Sequence, residues 1–176
     1  MAIHKKSALI AGGAVIILAG LSFGLGTSLA QSSAPDEKAV IAKVIKDNIC
    51  WALTKDRALA ESTMSHDEDL FYFWTNSTFT VRGWKQHAPN FETWMDPRFK
   101  AVRTDVRDLH VYLSRSGDVA WYDAILDDVV SWDGKIGGGE NIRWTGVLEK
   151  RDGKWVIVHM HASLAADKVL ESVKKK

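Results

Sequence analysis

The sequence is poor in the residues that mark several protein classes. It holds one cysteine, Cys50, which cannot close a disulfide within the chain, so a disulfide-stapled scaffold is excluded. Three prolines and 13 glycines without a repeat rule out a collagenous chain, and 46% hydrophobic residues rule out a disordered one. There is no excess of charge of one sign: 23 Lys+Arg face 22 Asp+Glu, a formal charge of +1. A nucleic-acid binder normally carries a basic face or stripe, so no nucleic-acid partner is expected. What the 176 residues do have is eight tryptophans and apolar material enough for a packed core.

The first thirty residues read as an export segment. Lys5 and Lys6 precede an uncharged run from Ser7 to Ala30, and Ser28-Leu29-Ala30 places small residues at the third and first positions before Gln31. Basic region, apolar region and small-residue cleavage site are the parts of a signal peptide, with cleavage expected after Ala30 and a periplasmic or secreted product. The other reading is an uncleaved membrane anchor, since the run approaches the ~20 residues of a spanning helix. Removal takes away two lysines and no acid, leaving 21 basic and 22 acidic residues. All eight tryptophans lie beyond the cut. Residues 31–35 (QSSAP) form a polar linker, and the lysines at 174–176 belong to a basic tail over residues 171–176.

From Asp36 the pattern is helical. Val40, Ile41, Val44, Ile45, Ile49, Trp51 and Leu53 recur at helical spacing as far as Lys55-Asp56, with Asp36 and Glu37 at the electropositive start. A second helical piece is predicted over Arg57–Met64, and a strand over the aromatic run Leu70–Thr75. Pro89 divides Gly83–Met95 into one or two short helices. Four runs rich in Val, Ile, Trp and Tyr follow: Ala101–Leu113, Val119–Trp132, Asn141–Lys150 and Lys154–Leu164. Turn residues separate them, including Ser116-Gly117-Asp118, the stretch from Asp133-Gly134 to Gly137-Gly138-Gly139, and Asp152-Gly153. Helices first and an antiparallel meander last make an α+β domain with helices covering one face of a curved sheet.

A three-residue closure at Arg151-Asp152-Gly153 pairs Lys150 with Lys154. One face then holds Leu148, Val156, Gly146, Val158, Trp144, Met160, Ile142 and Ala162. The other pairs Val147 with Ile157, Thr145 with His159, and Arg143 with His161. The same closure at Arg115-Ser116-Gly117 sets His110 opposite Tyr122 and puts Tyr122, Ala124, Leu126 and Asp128 on one face, with Trp121, Asp123, Ile125 and Asp127 on the other.

The run Gly146–Ser163 (GVLEKRDGKWVIVHMHAS), with Leu109–Leu113, Gly117–Ala120 and Gly83–His87 before it, resembles the nuclear transport factor 2-like superfamily in its SnoaL-like branch. It is similar in particular to the association, or hub, domain of calcium/calmodulin-dependent protein kinase II. The likeness spans residues 36–170 and implies a cone-shaped fold in which helices close over a curved sheet, leaving a pocket, commonly as a homodimer through the outer face. It also implies a pocket histidine at His87. Three pocket arginines of the hub fall at Leu126, Gly146 and Ala162, so the hub's anion-binding set is not carried over. The superfamily includes ketosteroid isomerase-like enzymes, dehydratases and polyketide cyclases as well as members without known catalysis, so the fold does not choose among functions.

With the pocket on the apolar side, the candidate ligand-binding residues are Trp84, His87, His110, Tyr122, Leu126, Asp128, Trp144 and Met160, around a small, largely apolar molecule. Filling of the core is the competing role for Trp144 and Met160. Asp128 and His87 are the candidates for acid/base chemistry of an isomerase, dehydratase or hydrolase, with Tyr122 as a possible donor to an enolate-like oxygen. Asp127 and Asp128 cannot act together, because neighbours on a strand point to opposite faces. Arg143, Thr145, His159 and His161 form a polar seam on the other face, solvated or within a subunit interface. No third ligand accompanies the two histidines by spacing, so no metal is expected, and nothing supports a cofactor. Asp67 and Asp69 read as turn formers in solvent, and Cys50 as a buried, inert thiol. Trp84 and Trp144 are assigned to the cavity side, Trp121 and Trp155 to the opposite face. A pure dimerisation module is a third reading, favoured by an apolar patch around Trp121, Ile125, Val147 and Ile157.

Overall fold

A computed structural model describes residues 36–76 and 78–165. The export segment, the linker and the basic tail lie outside the described residues. No helix among the described residues is long and apolar enough to cross a membrane.

Helix α1 (Glu37–Thr54) begins where Asp36 accepts a hydrogen bond from the Lys38 amide at 3.0 Å, and ends at Lys55 in the left-handed conformation. Its buried residues Ile41, Ile45, Asn48 and Trp51 recur at three and four, one stripe turned inward, while Val40 and Leu53 lie on the outer side. Helix α2 (Arg57–Ser62) is capped by Asp56, which accepts from the Leu59 amide. Strand β1 (Phe71–Phe73) and a short strand that the sequence pattern did not reveal, β2 (Thr80–Arg82), form a small hairpin. Two short helices follow, α3 (Trp84–His87) and α4 (Asn90–Met95), divided at Pro89. Long strands β3 (Phe99–Leu113), β4 (Val119–Trp132), β5 (Lys135–Arg151) and β6 (Lys154–Ser163) complete the chain.

The sheet is open and runs β2-β1-β6-β5-β4-β3. All neighbours are antiparallel except β1 and β6, which are parallel. Register shifts interrupt each of the long hairpins, and such bulges bend and twist a sheet. The helices lie on the concave side, and between them and the sheet Ile41, Ile45, Leu70, Leu126, Ile142, Trp144, Leu148 and Ile157 are almost fully buried.

The turns differ from expectation in ways that matter for the site. Asp152 (φ 50°) and Gly153 (φ 77°) close β5 and β6 as a two-residue turn, pairing Arg151 with Lys154. Two left-handed central residues match the strand twist, so Asp-Gly closes a hairpin most readily in this form. The faces are therefore offset by one at first, and Trp155 and Ile157 turn into the core instead of outward. A bulge at Val158 restores the parity, so that Met160 and Ala162 still face inward beside Gly146 and Trp144. Trp155 Nε1 donates to Glu37 at 2.6 Å, and Lys150 reaches the same carboxylate at 2.7 Å.

Between β3 and β4 the loop has four residues, because the Ser114 amide donates to the Val119 carbonyl at 2.8 Å. That shifts His110 opposite Asp123 on the outer face, with Val111 opposite Tyr122. Gly137, Gly138 and Gly139 belong to β5, where they pair with Val130, Val129 and Asp128, instead of forming a turn. Gly138 is required there: with φ 83°, a side chain would begin 1.9 Å from the Asp128 carbonyl oxygen.

Candidate functional site

The concave side is filled at one end and hollow at the other. Tyr122 and Trp144 pack edge-to-face with centroids 5.0 Å apart, and Gly146 has no side chain because the Tyr122 ring lies where one would begin, 2.6 Å away. Tyr122, Leu126 and Trp144, expected to line the pocket, are therefore core residues. The rings of Tyr122 and Trp144 leave no room for a ligand beside Gly146. His110 is also outside the cavity, its Nδ1 3.1 Å from Asp123 on the exposed side, because the four-residue loop moves it by one position.

At the other end a cavity of about 420 Å³ opens. Helix α1 contributes Asn48, Ile49, Trp51 and Ala52, and α4 contributes Phe91 and Trp94. Tyr72 of β1, the following Trp74 and Phe79, and Phe99 of β3 complete an aromatic wall. The sheet floor is Met160, Val130, Gly138 and Asp128. Of the expected ligand-binding residues, His87, Asp128 and Met160 line this cavity. Trp84 stands behind it, its ring 5.0 Å from that of His87 and stacked at 3.8 Å on His66. The wall of Trp51, Tyr72, Trp74, Phe79, Phe91, Trp94 and Phe99 was not foreseen as a group. The aromatic run Leu70–Thr75 held part of the signal, as did the polar Asn48 within the apolar stripe of α1.

Asn48 is satisfied: its amide donates to Thr63 Oγ1 at 2.8 Å, and Thr63 donates to the Ala60 carbonyl, tying α1 to α2. His87 is 3% exposed and its Nδ1 lies 2.9 Å from the Tyr72 hydroxyl. Hydrogen-bond economy sets the direction. If Tyr72 donates to Nδ1, only the His87 Nε2–H lacks a partner. If His87 donates, both the phenol hydrogen and Nε2 lack one. The imidazole therefore carries its proton on Nε2. Burial, reinforced by the nearby His66, pulls His87 down to about 4, and burial pushes the Tyr72 phenol up, so both are neutral near pH 7.

Asp128 differs from its neighbour in sequence. Asp127 points away from the cavity, where its carboxylate accepts from the Asn141 amide at 2.8 Å and from Arg107 at 2.9 Å, which holds it below the usual carboxylate range. Asp128 accepts no side-chain hydrogen bond among the described residues, and burial alone pushes its carboxyl up to about 6. The expected opposition of the two carboxylates holds. Neither Asp128 nor His87 hydrogen-bonds the other.

On the outer face Arg143, Thr145 and His161 are exposed and His159 is half-buried. Their pairing differs from expectation, since Thr145 faces His161 and Arg143 faces Ser163. The bulge at Val158 causes the shift. Each histidine is engaged by β1: His159 Nδ1 meets the Phe71 carbonyl at 3.0 Å, and His161 lies edge-on to Phe73. No group of three or more His, Cys, Asp or Glu among the described residues is placed to hold a metal ion. Asp67 and Asp69 are exposed turn residues, as expected, with Asp67 accepting from the Asp69 amide at 3.0 Å, and both also pair with Arg151. Cys50 is half-buried, and burial raises its thiol pKa.

The sequence profile of the SnoaL-like domain matches residues 41–167. The chain belongs to the SnoaL-like family. Solved structures with the same fold include a nuclear transport factor 2-like protein from Cytophaga hutchinsonii, 14% identical with a TM-score of 0.59, over 74% of this chain and 99% of that one. Another is a nuclear transport factor 2-like protein of unknown function in nutrient uptake from Rhodospirillum rubrum, 18% identical with a TM-score of 0.57, over 74% and 99%. A third is the association domain of C. elegans calcium/calmodulin-dependent protein kinase II, 18% identical with a TM-score of 0.53, over 73% and 95%. No curated protein matches the sequence. In this SnoaL-like domain the helices-over-sheet cone is thus shared with proteins of several descriptions, and the chemistry rests on its own cavity.

Proposed function

We propose that this SnoaL-like domain is exported and binds a small, largely apolar molecule in the cavity, without turning it over. The observation that carries the reading is the 420 Å³ hollow itself, which falls within the usual size of ligand sites and combines aromatic walls with a few polar groups. A binding role fits the polar groups better than catalysis does. His87 is neutral and committed to Tyr72, and no second acid or base reaches Asp128 among the described residues. Purification from the native host followed by native mass spectrometry tests this: a bound mass released on unfolding is expected, and a ligand-free protein that takes up no apolar probe in a Trp-fluorescence titration overturns it. The same intact mass reads the export proposal, since a mature chain beginning at Gln31 is expected.

A second reading, an isomerase or dehydratase with Asp128 as base, draws on one observation, the carboxyl held near 6 by burial. Deuterium exchange into a bound carbonyl compound, lost in Asp128→Asn, would establish it. We also propose a homodimer through the outer face. Trp121 is 46% exposed and stacks on Tyr112, itself 42% exposed, at 5.8 Å, and Phe73 is exposed three strands away on β1. Ile157, expected in this patch, is buried in the core. Light scattering on the wild type and on Trp121→Asp measures it, with dimer to monomer as the expected change.

A further inference from the structure

Among the described residues Asp128 is the one acidic residue in the wall of the cavity, and no Lys or Arg accompanies it there. The elements around it are β3, which places Thr104 in the paired position, β5 with Gly138 and Gly139, and the helices that roof the cavity. The titratable groups lining the same space are Tyr72 and His87, and both are neutral near pH 7. The carboxylate thus has no cation, and no hydrogen-bond donor, from the described residues. Tryptophan, tyrosine and phenylalanine rings line the same cavity, and the face of such a ring attracts a cation through the ring quadrupole. Asp128 is half-buried in this largely apolar wall, and a carboxylate so placed is stabilised when a partner of opposite charge joins it, a role that a ligand can fill.

We propose that the ligand of this cavity is an organic cation, an amine carried on an apolar body, with Asp128 as its counter-ion and the aromatic wall as its cage. The proposal rests on the binding role proposed above and names its ligand class.

A matched pair of probes tests it: 2-(1-naphthyl)ethylamine, which stays protonated through the acid range, and 2-(1-naphthyl)ethanol, its neutral counterpart of nearly the same shape. Calorimetric titration of the wild type at about pH 7.5 is expected to show the amine bound about tenfold more tightly than the alcohol. At about pH 4.5, where Asp128 is protonated, the ratio is expected to fall below about threefold. Asp128→Asn is expected to keep the ratio below about threefold at either pH, the preference left by the aromatic cage. An alcohol bound as tightly as the amine at the higher pH overturns the cation proposal and leaves the binding role standing. A preference for the amine of about tenfold that persists in Asp128→Asn also overturns it, by placing the cation elsewhere. If neither probe binds, the binding role and the cation proposal fall together.

Discussion

The two ends of the concave face are built from the same strands and differ in what the helices do above them. Over Tyr122, Trp144 and Leu148 the apolar stripe of α1 descends onto the sheet and leaves no space. Over Met160, Val130 and Asp128 the roof is the last turns of α1 together with the short α2, α3 and α4, and the rings of α1 and α4 meet edge-on and span the gap without filling it. Trp51 and Phe91, with centroids 5.4 Å apart, and Phe91 and Trp94, also 5.4 Å apart, form the arch. The first turns of α1, with Ile41 and Ile45, make core, and its last turns join the short helices through rings to make a cavity. Asn48, Tyr72, His87 and Asp128 border the hollow end, while at the filled end the Tyr122 hydroxyl and Trp144 Nε1 are buried with no partner among the described residues.

Variants at the two ends separate these roles. The largest effect is expected at the filled end: Trp144→Ala removes a fully buried ring and should cost about 3–5 kcal/mol in urea unfolding, enough to unfold a marginal domain. An equally stable variant would show that the filled end is not packed as described.

At the hollow end the sign reverses. Because the folded-state pKa of Asp128 is raised, the fold holds its proton more tightly than the unfolded chain does, and stability falls as pH rises from the ordinary carboxylate range through about 6. Asp128→Asn should therefore stabilise the protein by up to about 3 kcal/mol above pH 6, with the gain fading toward pH 4. His87 works in the opposite sense, since its depressed pKa of about 4 means that stability is lost as pH falls from the ordinary histidine range toward that value. In wild type the two trends oppose each other between about pH 4 and 6, and thermal melts of Asp128→Asn should uncover the His87 slope alone.

Tyr72→Phe leaves His87 Nδ1 without its donor and should cost about 1 kcal/mol, read from the same denaturation curves. Smallest of all, His161→Ala on the exposed outer face should change stability by less than about 0.5 kcal/mol and leave probe binding in the cavity unchanged.

Much of this arrangement was legible in the residues. The periodicity of Ile41, Ile45 and Trp51, the break at Pro89, and the β-rich runs after Asp96-Pro97 led to an α+β domain, and the run around Gly146–Ser163 pointed to the family that the profile match shows. The alternation through Tyr122, Ala124, Leu126 and Asp128 gave the correct face for that strand. Register was less legible. Apolar side chains segregate under either closure when a bulge such as that at Val158 corrects the parity, so clean alternation in Ile142–Leu148 did not identify the turn, and Trp155 and Ile157 were assigned outward.

The sequence by itself therefore determined the elements apart from β2 and the start of β5, their order and the side of β4 that faces inward, because these follow from local periodicity and from the conformational limits of Pro, Gly and Asp. Only the tertiary structure decided which inward residues meet space and which meet one another. That Tyr122 covers Gly146, that Tyr72 takes the Nδ1 of His87, and that Asp128 shares a cavity with an aromatic arch and no cation among the described residues depend on contacts between residues far apart in the chain. Such contacts are set by how short helices and a bent sheet pack together, and no window of sequence contains both partners.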